Sequence, residues 1–294
     1  MTKIPVFETI KAAYGFVFAH LGAIIGLIWV PMVGVTVLGF FVEQRYYNAA
    51  ADALASDNYV RLGPSAISLL CYFVAAILLY AVMLVPVTQL ALGQRKDGAM
   101  AHFALGAPER RMFRALAGLV GFLFLPALTT AWLFRAVMAM AAPGRGASML
   151  AAGGAEVLLV LSWFALATIT LRFAFLLPAM AVQEEGPVLP RAWILSSGNF
   201  WRILVIVLAT LGPVALAGAG IEYALQGPGA VLPHFANSSA MAAAQLHQIA
   251  QHMPINKGVD FLLAPLLLGL SSGASAFALR ALQDGGAKRP TPPL

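Results

Sequence analysis

Six long apolar runs constrain the fold of this chain more than any other feature. They cover residues 19–42, 66–91, 114–141, 154–182, 202–225 and 259–282. A bilayer core of about 30 Å requires about 20 apolar residues in α-helix, and each run reaches that length. Because lipid offers the backbone no hydrogen-bond partners, a helix that satisfies its own backbone groups is the expected structure. The sequence therefore predicts an all-α integral membrane protein with six transmembrane helices.

The composition excludes several other classes of protein. Of the 294 residues, 61% are hydrophobic and only 10% are charged, whereas soluble proteins contain about 45–50% and about 25%. A soluble enzyme, a nucleic-acid-binding domain and a disordered chain do not have this composition. The single cysteine, Cys71, allows neither an intramolecular disulfide nor a cysteine-based metal cluster. We expect no nucleic-acid partner and no cofactor.

The distribution of positive charge predicts the orientation in the membrane. With six spans, both termini lie on one side, and twelve Lys and Arg residues fall on that side against four on the other. The twelve are Lys3, Lys11, Arg95, Lys96, Arg110, Arg111, Arg114, Arg191, Arg202, Arg280, Lys288 and Arg289. Short cytoplasmic loops carry an excess of Lys and Arg. We therefore predict a multi-pass protein of the cytoplasmic (inner) membrane with both termini in the cytoplasm.

Three segments before the odd-numbered spans resemble one another and suggest an internal repeat. They are residues 7–21, 102–116 and 190–204, and the next prolines, Pro31, Pro126 and Pro213, follow the aligned leucines by 10, 10 and 9 residues. Each unit would consist of an amphipathic cytoplasmic helix and two spans. The units would cover about 5–91, 99–182 and 187–282 of one polytopic domain, with a flexible tail at 283–294. Residues 43–65 and 226–258 would form outer loops, the second with a short helix that begins after Asn237 or Ser238.

The amphipathic segments are predicted to lie in the membrane interface before turning into the bilayer. Together they would form a cytoplasmic collar around the bundle, with aromatic side chains at the acyl boundary and basic ones at the headgroups. The predicted lipid contacts are Trp193, Trp201, Arg202, Arg110, Arg111 and Arg114.

One stretch of the chain resembles a known family. Residues 172–187, RFAFLLPAMAVQEEGP, and residues 191–202, RAWILSSGNFWR, resemble the membrane domain of certain glycerophosphodiester phosphodiesterases and the related six-span inner-membrane proteins of the YciC type. The likeness covers about thirty residues in motif and most of the chain in layout. The catalytic barrel of the phosphodiesterases has no counterpart here. The resemblance therefore implies a fold and a membrane role without catalysis.

Arg172 is the leading candidate for a functional residue. It is placed near mid-bilayer, about ten residues before the cytoplasmic exit of span four, where an arginine requires an anion, carbonyl oxygens or water. One interpretation is contact with a headgroup or an anionic ligand inside the bundle. The other is a snorkelling arginine, or a structural one that binds carbonyls freed by a proline kink.

Two functions from different classes fit these observations. The first is a non-enzymatic bundle that binds or moves a lipid or another amphipathic molecule, with a polar line facing a cavity or a lateral groove. That line would comprise Arg172, Tyr80, Thr129, Thr130, Thr168 and Thr170. The second is a scaffold that holds partner membrane proteins or copies of itself, for which a closed apolar interior is expected.

Other motifs favour structure over chemistry. His234, His247 and His252 are spaced by 13 and 5 residues with no nearby carboxylate, so no metal site is predicted. Gly269-Leu-Ser-Ser-Gly273 matches a nucleophile motif in form, but it lies inside an apolar span, where small residues let helices approach closely. The spans show no catalytic acid and base pair.

Overall fold

The computed structural model describes residues 3–95, 103–140, 149–183, 186, 188–226 and 239–287. In these ranges the chain is helical and contains no strand. The α-helices are α1 (Val6–Ser56), α2 (Leu62–Ala91), α3 (Ala107–Met140), α4 (Met149–Ala174), α5 (Leu177–Gln183), α6 (Val188–Ser196), α7 (Phe200–Gln226) and α8 (Ser239–Ala287). A short 3-10 helix, Tyr59–Arg61, joins α1 to α2.

Five helical segments in the described ranges are long and apolar enough to cross a membrane. They are Val6–Ser56, Leu62–Ala91, Val160–Gln183, Phe200–Gln226 and Ser239–Gln283. These segments contain five of the six predicted spans. Only the first residues of the fourth predicted span, before Val160, fall outside them. The third span, 114–141, lies almost entirely within α3, but most side chains of the second half of that helix lie outside the described residues. The chain thus has the features of a multi-pass membrane protein, and a sixth span stays a prediction.

The first and last helices form the long axis of the bundle. They run antiparallel, because Gly273 of α8 lies against Ala13 of α1 while His247 of α8 lies 3.7 Å from Asp52 of α1. From Ala13 to Asp52 this pairing covers about 58 Å of helix at 1.5 Å per residue. That length is nearly twice the hydrocarbon thickness of a bilayer, about 30 Å. The two helices therefore continue well beyond the membrane-spanning length.

Both ends of the described chain lie at the same end of the bundle. Ile4 is buried, its N–H donates to Asn199 Oδ1 at 3.1 Å, and its carbonyl oxygen accepts from Arg202 Nη1 at 2.8 Å. Gln283 of α8 donates to Gln183 of α5 at 3.2 Å. These contacts bring the start of α1, the end of α8, the end of α5 and the α6–α7 junction together. This end is called the terminal end below; its cytoplasmic location stays a prediction.

Prolines inside the helices leave carbonyl groups that α1 side chains satisfy. Pro213 has no N–H, so the carbonyl of Ala209, four residues earlier, loses its donor within α7. Tyr14 Oη of α1 donates to that carbonyl oxygen at 2.9 Å. The same relation holds in α8, where Gln44 Nε2 approaches the Ala250 carbonyl, four residues before Pro254, at 3.5 Å. Side chains of α1 thus hydrogen-bond to α7 at Pro213 and to α8 at Pro254.

The predicted fourth span, 154–182, is interrupted in the structure. It consists of α4 and α5, separated by Phe175 and Leu176. Pro178 explains the break, since its ring clashes with the carbonyl four residues earlier and it cannot donate a hydrogen bond. The new N-terminus of α5 is held by α8, because Ser275 Oγ accepts from the Ala179 N–H at 3.2 Å. The core around this break is apolar and closely packed.

The structure differs from two of the expectations about loops and collar helices. Of the three predicted collar segments, only the third forms a separate helix, α6; residues 7–21 are continuous with the span in α1, and residues 107–116 with that in α3. The described parts of the predicted outer segments are helical: α1 continues to Ser56, and the helix expected in 226–258 is the start of α8, which begins at Ser239 and continues into span six without a break. Helix α8 also extends to Ala287, into the predicted tail, whose residues 288–294 lie outside the described ranges. The threefold repeat stays a prediction.

The outer parts of α1 and α8 are helical because they pack on each other. Lys257 Nζ lies 2.8 Å from Glu43 Oε1, with both side chains largely buried. His247 lies 3.3 Å from Asn48 Oδ1. These contacts join residues roughly 200 positions apart, so the local sequence, which is rich in polar and small residues, gives no sign of them.

Candidate functional site

Arg172 lies in the last turn of α4 and binds the C-terminal end of α6. Its Nη2 donates to the Trp193 carbonyl oxygen at 3.1 Å and its Nε to Ser196 Oγ at 3.4 Å. Its guanidinium carbon lies 3.5 Å from the centroid of the Trp193 ring, a cation–π contact. A cation at a helix C-terminus also interacts favourably with the helix dipole. Of the two interpretations of Arg172, this geometry fits the structural one, with the Trp193 carbonyl and the Ser196 hydroxyl of α6 in place of carbonyls freed by a proline.

Helix α6 ends where the sequence allows a sharp turn. Gly198 has φ +75°, a conformation that is strained for other residues. The Asn199 N–H donates to the Ser196 carbonyl oxygen at 3.1 Å, which closes the end of α6 just before α7 begins at Phe200. With Arg172 on one side and this turn on the other, α6 is fixed as a short helix against α3 and α4.

Three aromatic rings form a continuous wall beside α6. Phe122 of α3 meets Phe173 of α4 edge to face at 5.7 Å between ring centroids. Phe173 in turn stacks on Trp193 of α6 at 5.1 Å. Such pairs stabilise beyond the area that they bury, and they restrict ring motion. The wall is therefore a preformed surface.

This wall belongs to an apolar groove of about 590 Å³ between α3, α4 and α6. We call it the α6 groove. Its lining residues are Gly118, Leu119, Phe122, Ile169, Phe173, Leu189, Pro190, Trp193 and Ile194. The groove opens sideways, away from the bundle core, since Phe122 is 54% and Ile194 67% exposed. Its volume lies within the range of small-molecule sites, about 300–1,000 Å³.

A second, basic pocket adjoins the α6 groove towards the terminal end. It has a volume of about 400 Å³, and Leu189 and Pro190 line both cavities. We call it the arginine pocket, because Arg111 and Arg114 of α3 line it together with Ala115. It also includes Val188, the first residue of α6, where backbone N–H groups and the helix dipole favour negative charge. The two cavities thus combine an apolar channel with a positively charged mouth.

The close approach of α3 and α6 depends on a glycine. A Cβ atom on Gly118 would lie 3.2 Å from Leu189 Cδ1, which is tighter than ordinary contact. One turn further along α3, a Cβ on Gly121 would meet nothing within 4 Å. Gly118 therefore contributes to the shape of the groove, and Gly121 does not.

The described threonines of the predicted polar line bond within their own helices, and the line itself stays a prediction. Three threonines donate to carbonyls of their own helices: Thr129 to Pro126 at 2.9 Å, Thr168 to Phe164 at 2.8 Å and Thr170 to Leu166 at 2.7 Å. Tyr80 of α2 is 39% exposed and lines neither cavity. The side chain of Thr130 lies outside the described residues. Arg172 contacts the α6 groove through Trp193.

Four of the six predicted interfacial residues are exposed or line one of the two cavities. Trp201 is 67% exposed, Trp193 lines the α6 groove, and Arg111 and Arg114 line the arginine pocket.

The remaining two interfacial arginines contact backbone. Arg202 binds the Ile4 carbonyl as described above, and Arg110 Nη1 lies 3.4 Å from the Leu105 carbonyl oxygen. Arg202 therefore fixes the N-terminal segment, a role that its position in the sequence did not indicate.

The structure describes the surroundings of His247, His252 and the Gly269–Gly273 motif. Among the described residues no three His, Cys, Asp or Glu side chains come together as metal ligands, and His234 lies outside those residues. A Cβ on Gly269 would lie 2.9 Å from Val17 Cγ2, and one on Gly273 3.0 Å from Phe16 Cδ1. These glycines allow α8 to pack closely on α1, in agreement with the packing interpretation.

Comparison with known proteins adds no relative to this picture. No family model matches the chain, and no curated protein and no solved structure is significantly similar to it. The resemblance of residues 172–202 to the phosphodiesterase membrane domain therefore stays a prediction, and the function has to be argued from the site itself.

Proposed function

We propose that this chain is a non-enzymatic, six-span protein of the cytoplasmic membrane, with both termini in the cytoplasm, that binds a membrane lipid in the α6 groove. The observation that carries the proposal is the apolar groove that opens sideways between α3, α4 and α6 and adjoins a basic pocket, with which it shares Leu189 and Pro190. Amphipathic molecules are the ligands that match such a pair of surfaces.

The direction of the groove supports a lipid as its occupant. From Arg114 near the start of α3 to Phe122, the lining advances by about 12 Å along the helix. The basic mouth lies towards the terminal end, and the apolar part extends towards the middle of the bundle. A lipid of the adjacent leaflet has the same arrangement, with its headgroup at the interface and its chain directed inwards.

Shape and rigidity would supply the selectivity for a bound chain. Because surrounding lipid tails are as apolar as the groove, moving a chain from the bilayer into it brings little hydrophobic gain. The gain comes instead from van der Waals contact with a wall that is already ordered. The ring contacts of Phe122, Phe173 and Trp193 provide that order. In this proposal Arg172 is a positioning residue that acts through α6.

The test is to fill the groove and measure the lipid that remains bound. Gly118→Phe places a ring in the α6 groove, whereas Gly121→Phe adds the same side chain to the same helix where a Cβ meets nothing within 4 Å. Both proteins are purified in mild detergent and compared by native mass spectrometry after mild delipidation. We expect one retained lipid per wild-type and Gly121→Phe chain, and a loss of at least about tenfold in Gly118→Phe, equivalent to about 1.4 kcal/mol.

Equal retention by both variants, with folded protein in each case, would contradict the groove proposal. Gly118→Ala serves as a milder companion variant in case the phenylalanine disturbs packing. It would weaken retention only partly, because its methyl group contacts Leu189 and leaves most of the groove open.

A scaffold is the second candidate, and one observation favours it. The described threonines of the predicted polar line satisfy carbonyls of their own helices, and the core between the helices is apolar and packed. This is the interior expected for a protein that holds partners through its outer surface. A protein that co-purifies in fixed ratio with all three chains, together with no retained lipid, would favour the scaffold.

A further inference from the structure

The two arginines of α3 define the chemistry of the headgroup. We propose that the arginine pocket binds the phosphate of an anionic phospholipid whose acyl chain occupies the α6 groove. This inference rests on the proposed function and deepens it, since it names the class of lipid.

The arginine pocket has the groups that an anionic phosphate requires. Arg111 and Arg114 are one turn apart on α3 and line the same pocket, so one phosphate can be reached by both guanidinium groups. Arginine forms planar, paired hydrogen bonds to phosphate oxygens. Arg114 Nε donates to the Arg110 carbonyl oxygen at 3.3 Å, which keeps the side chain along its helix.

The start of α6 adds to the positive potential. Val188 lies in the lining of the arginine pocket, and α6 is nine residues long, so the N-terminal end of its dipole faces the same cavity as the arginines. Pro190 in this first turn lacks an N–H, so the backbone donors available there come from its neighbours. Helix end and guanidinium groups both favour a negative ligand over a zwitterionic one.

The connection to the α6 groove distinguishes a phospholipid from a small anion. Leu189 and Pro190 line both cavities, so the cavities are adjacent, and a molecule that reaches both must be charged at one end and apolar at the other. A free phosphate ester would use only the arginine pocket. The shared chemistry is the phosphate, and we commit to the phospholipid because the two cavities are adjacent.

The experiment measures headgroup preference at constant acyl chain. The full chain is reconstituted in nanodiscs of equal amounts of dioleoyl phosphatidylglycerol and dioleoyl phosphatidylcholine, released, and analysed by native mass spectrometry. For the wild type we expect phosphatidylglycerol to be retained about tenfold over phosphatidylcholine, which is the order of one charge-assisted hydrogen bond. The variant Arg111→Gln with Arg114→Gln should lower this ratio to about one while a lipid is still retained.

The matched control removes two charges from the same end of the bundle without touching the pocket. Lys3 and Lys11 are exposed and line neither cavity, so Lys3→Gln with Lys11→Gln should leave the preference unchanged. Arg114→Gln alone, at an exposed position, is the variant to use if the double substitution fails to fold; it should lower the ratio partly.

The outcomes separate this inference from the proposed function. An unchanged preference in the Arg111 and Arg114 variants, or none in the wild type, overturns the headgroup assignment while the loss of lipid in Gly118→Phe still supports the groove. Lipid retention that survives in Gly118→Phe overturns the groove. Displacement of the lipid by millimolar glycerol phosphate would show a soluble phosphate ester as the ligand and would overturn the commitment to a phospholipid.

Discussion

Tyr14 provides the sharpest test of how this bundle tolerates prolines in its helices. Its hydroxyl donates to the Ala209 carbonyl oxygen at 2.9 Å, and that carbonyl has no donor in α7 because residue 213 is proline. Tyr14→Phe removes the hydroxyl but keeps the ring, which stacks on Phe18 at 6.2 Å. The substitution therefore isolates the hydrogen bond from the packing.

The expected cost follows from the environment of the carbonyl. Hydrogen bonds between membrane helices average about 0.6 kcal/mol and reach about 1.7 kcal/mol, and a buried polar group left unpaired costs about 1–3 kcal/mol. Since the Ala209 carbonyl has no alternative donor in its helix, we expect Tyr14→Phe to lower the free energy of unfolding by about 1–1.5 kcal/mol. The measurement is unfolding in mixed micelles of dodecyl maltoside and sodium dodecyl sulfate, followed by circular dichroism.

A double-mutant cycle with Pro213→Ala tests whether Tyr14 supplies the hydrogen bond that Pro213 cannot donate. In that background the N–H of the new alanine can donate to the Ala209 carbonyl, so Tyr14→Phe should cost no more than about 0.5 kcal/mol. The coupling energy should thus be about 1 kcal/mol. An equal cost of Tyr14→Phe in both backgrounds would refute the idea that Tyr14 replaces the donor that Pro213 lacks. Gln44→Leu, also in α1, removes the corresponding contact with the Ala250 carbonyl of α8. Because that contact is longer, at 3.5 Å, we expect a smaller loss of free energy of unfolding.

Two further substitutions test the packing of α8 and the role of Arg172. Gly273→Leu should lower the free energy of unfolding by about 1–3 kcal/mol in the same assay, because a Cβ there lies 3.0 Å from Phe16 Cδ1. Gly258→Leu, in the same helix but with open space around it, should be neutral or stabilising. Equal effects of the two substitutions would contradict this reasoning. Arg172→Met should raise amide hydrogen exchange in residues 188–196 by about tenfold, because α6 loses its C-terminal contacts, and unchanged exchange there would contradict a positioning role.

The sequence predicted the spans well because length and hydrophobicity are local properties. The runs 19–42, 66–91, 202–225 and 259–282 all lie within helices. The continuity of the longest helices beyond their apolar runs was not predictable in this way. Helices α1 and α8 continue past their apolar runs because they pack on each other, for example through Lys257 and Glu43, which are 214 positions apart. Local composition carries no information about such a partner.

The candidate site was only partly visible in the sequence. Arg172 was singled out as costly in the membrane, but its partners on α6 lie more than twenty residues away, so its structural role needed the fold. The α6 groove was missed, although one signal pointed to it. Arg111, Arg114, Gly118 and Phe122 recur at helical spacing on one face of α3, changing from basic to small to aromatic. A helix face that changes from basic to apolar along its length matches a lipid, which has a charged and an apolar end, better than it matches a neighbouring apolar helix.

The antiparallel pairing of α1 and α8 has a consequence for the order of synthesis. Glu43 leaves the ribosome 214 residues before Lys257, with which it forms the largely buried ion pair. At 5–20 residues per second, the first helix waits roughly 10–40 s for this partner. During that interval Glu43 has no counter-charge from α8, and Ala13 and Phe16 lack their contact with Gly273 of α8. Helix α8 therefore completes the packing of α1, and a chain terminated before α8 would leave Glu43 without its ion-pair partner and this face of α1 uncovered.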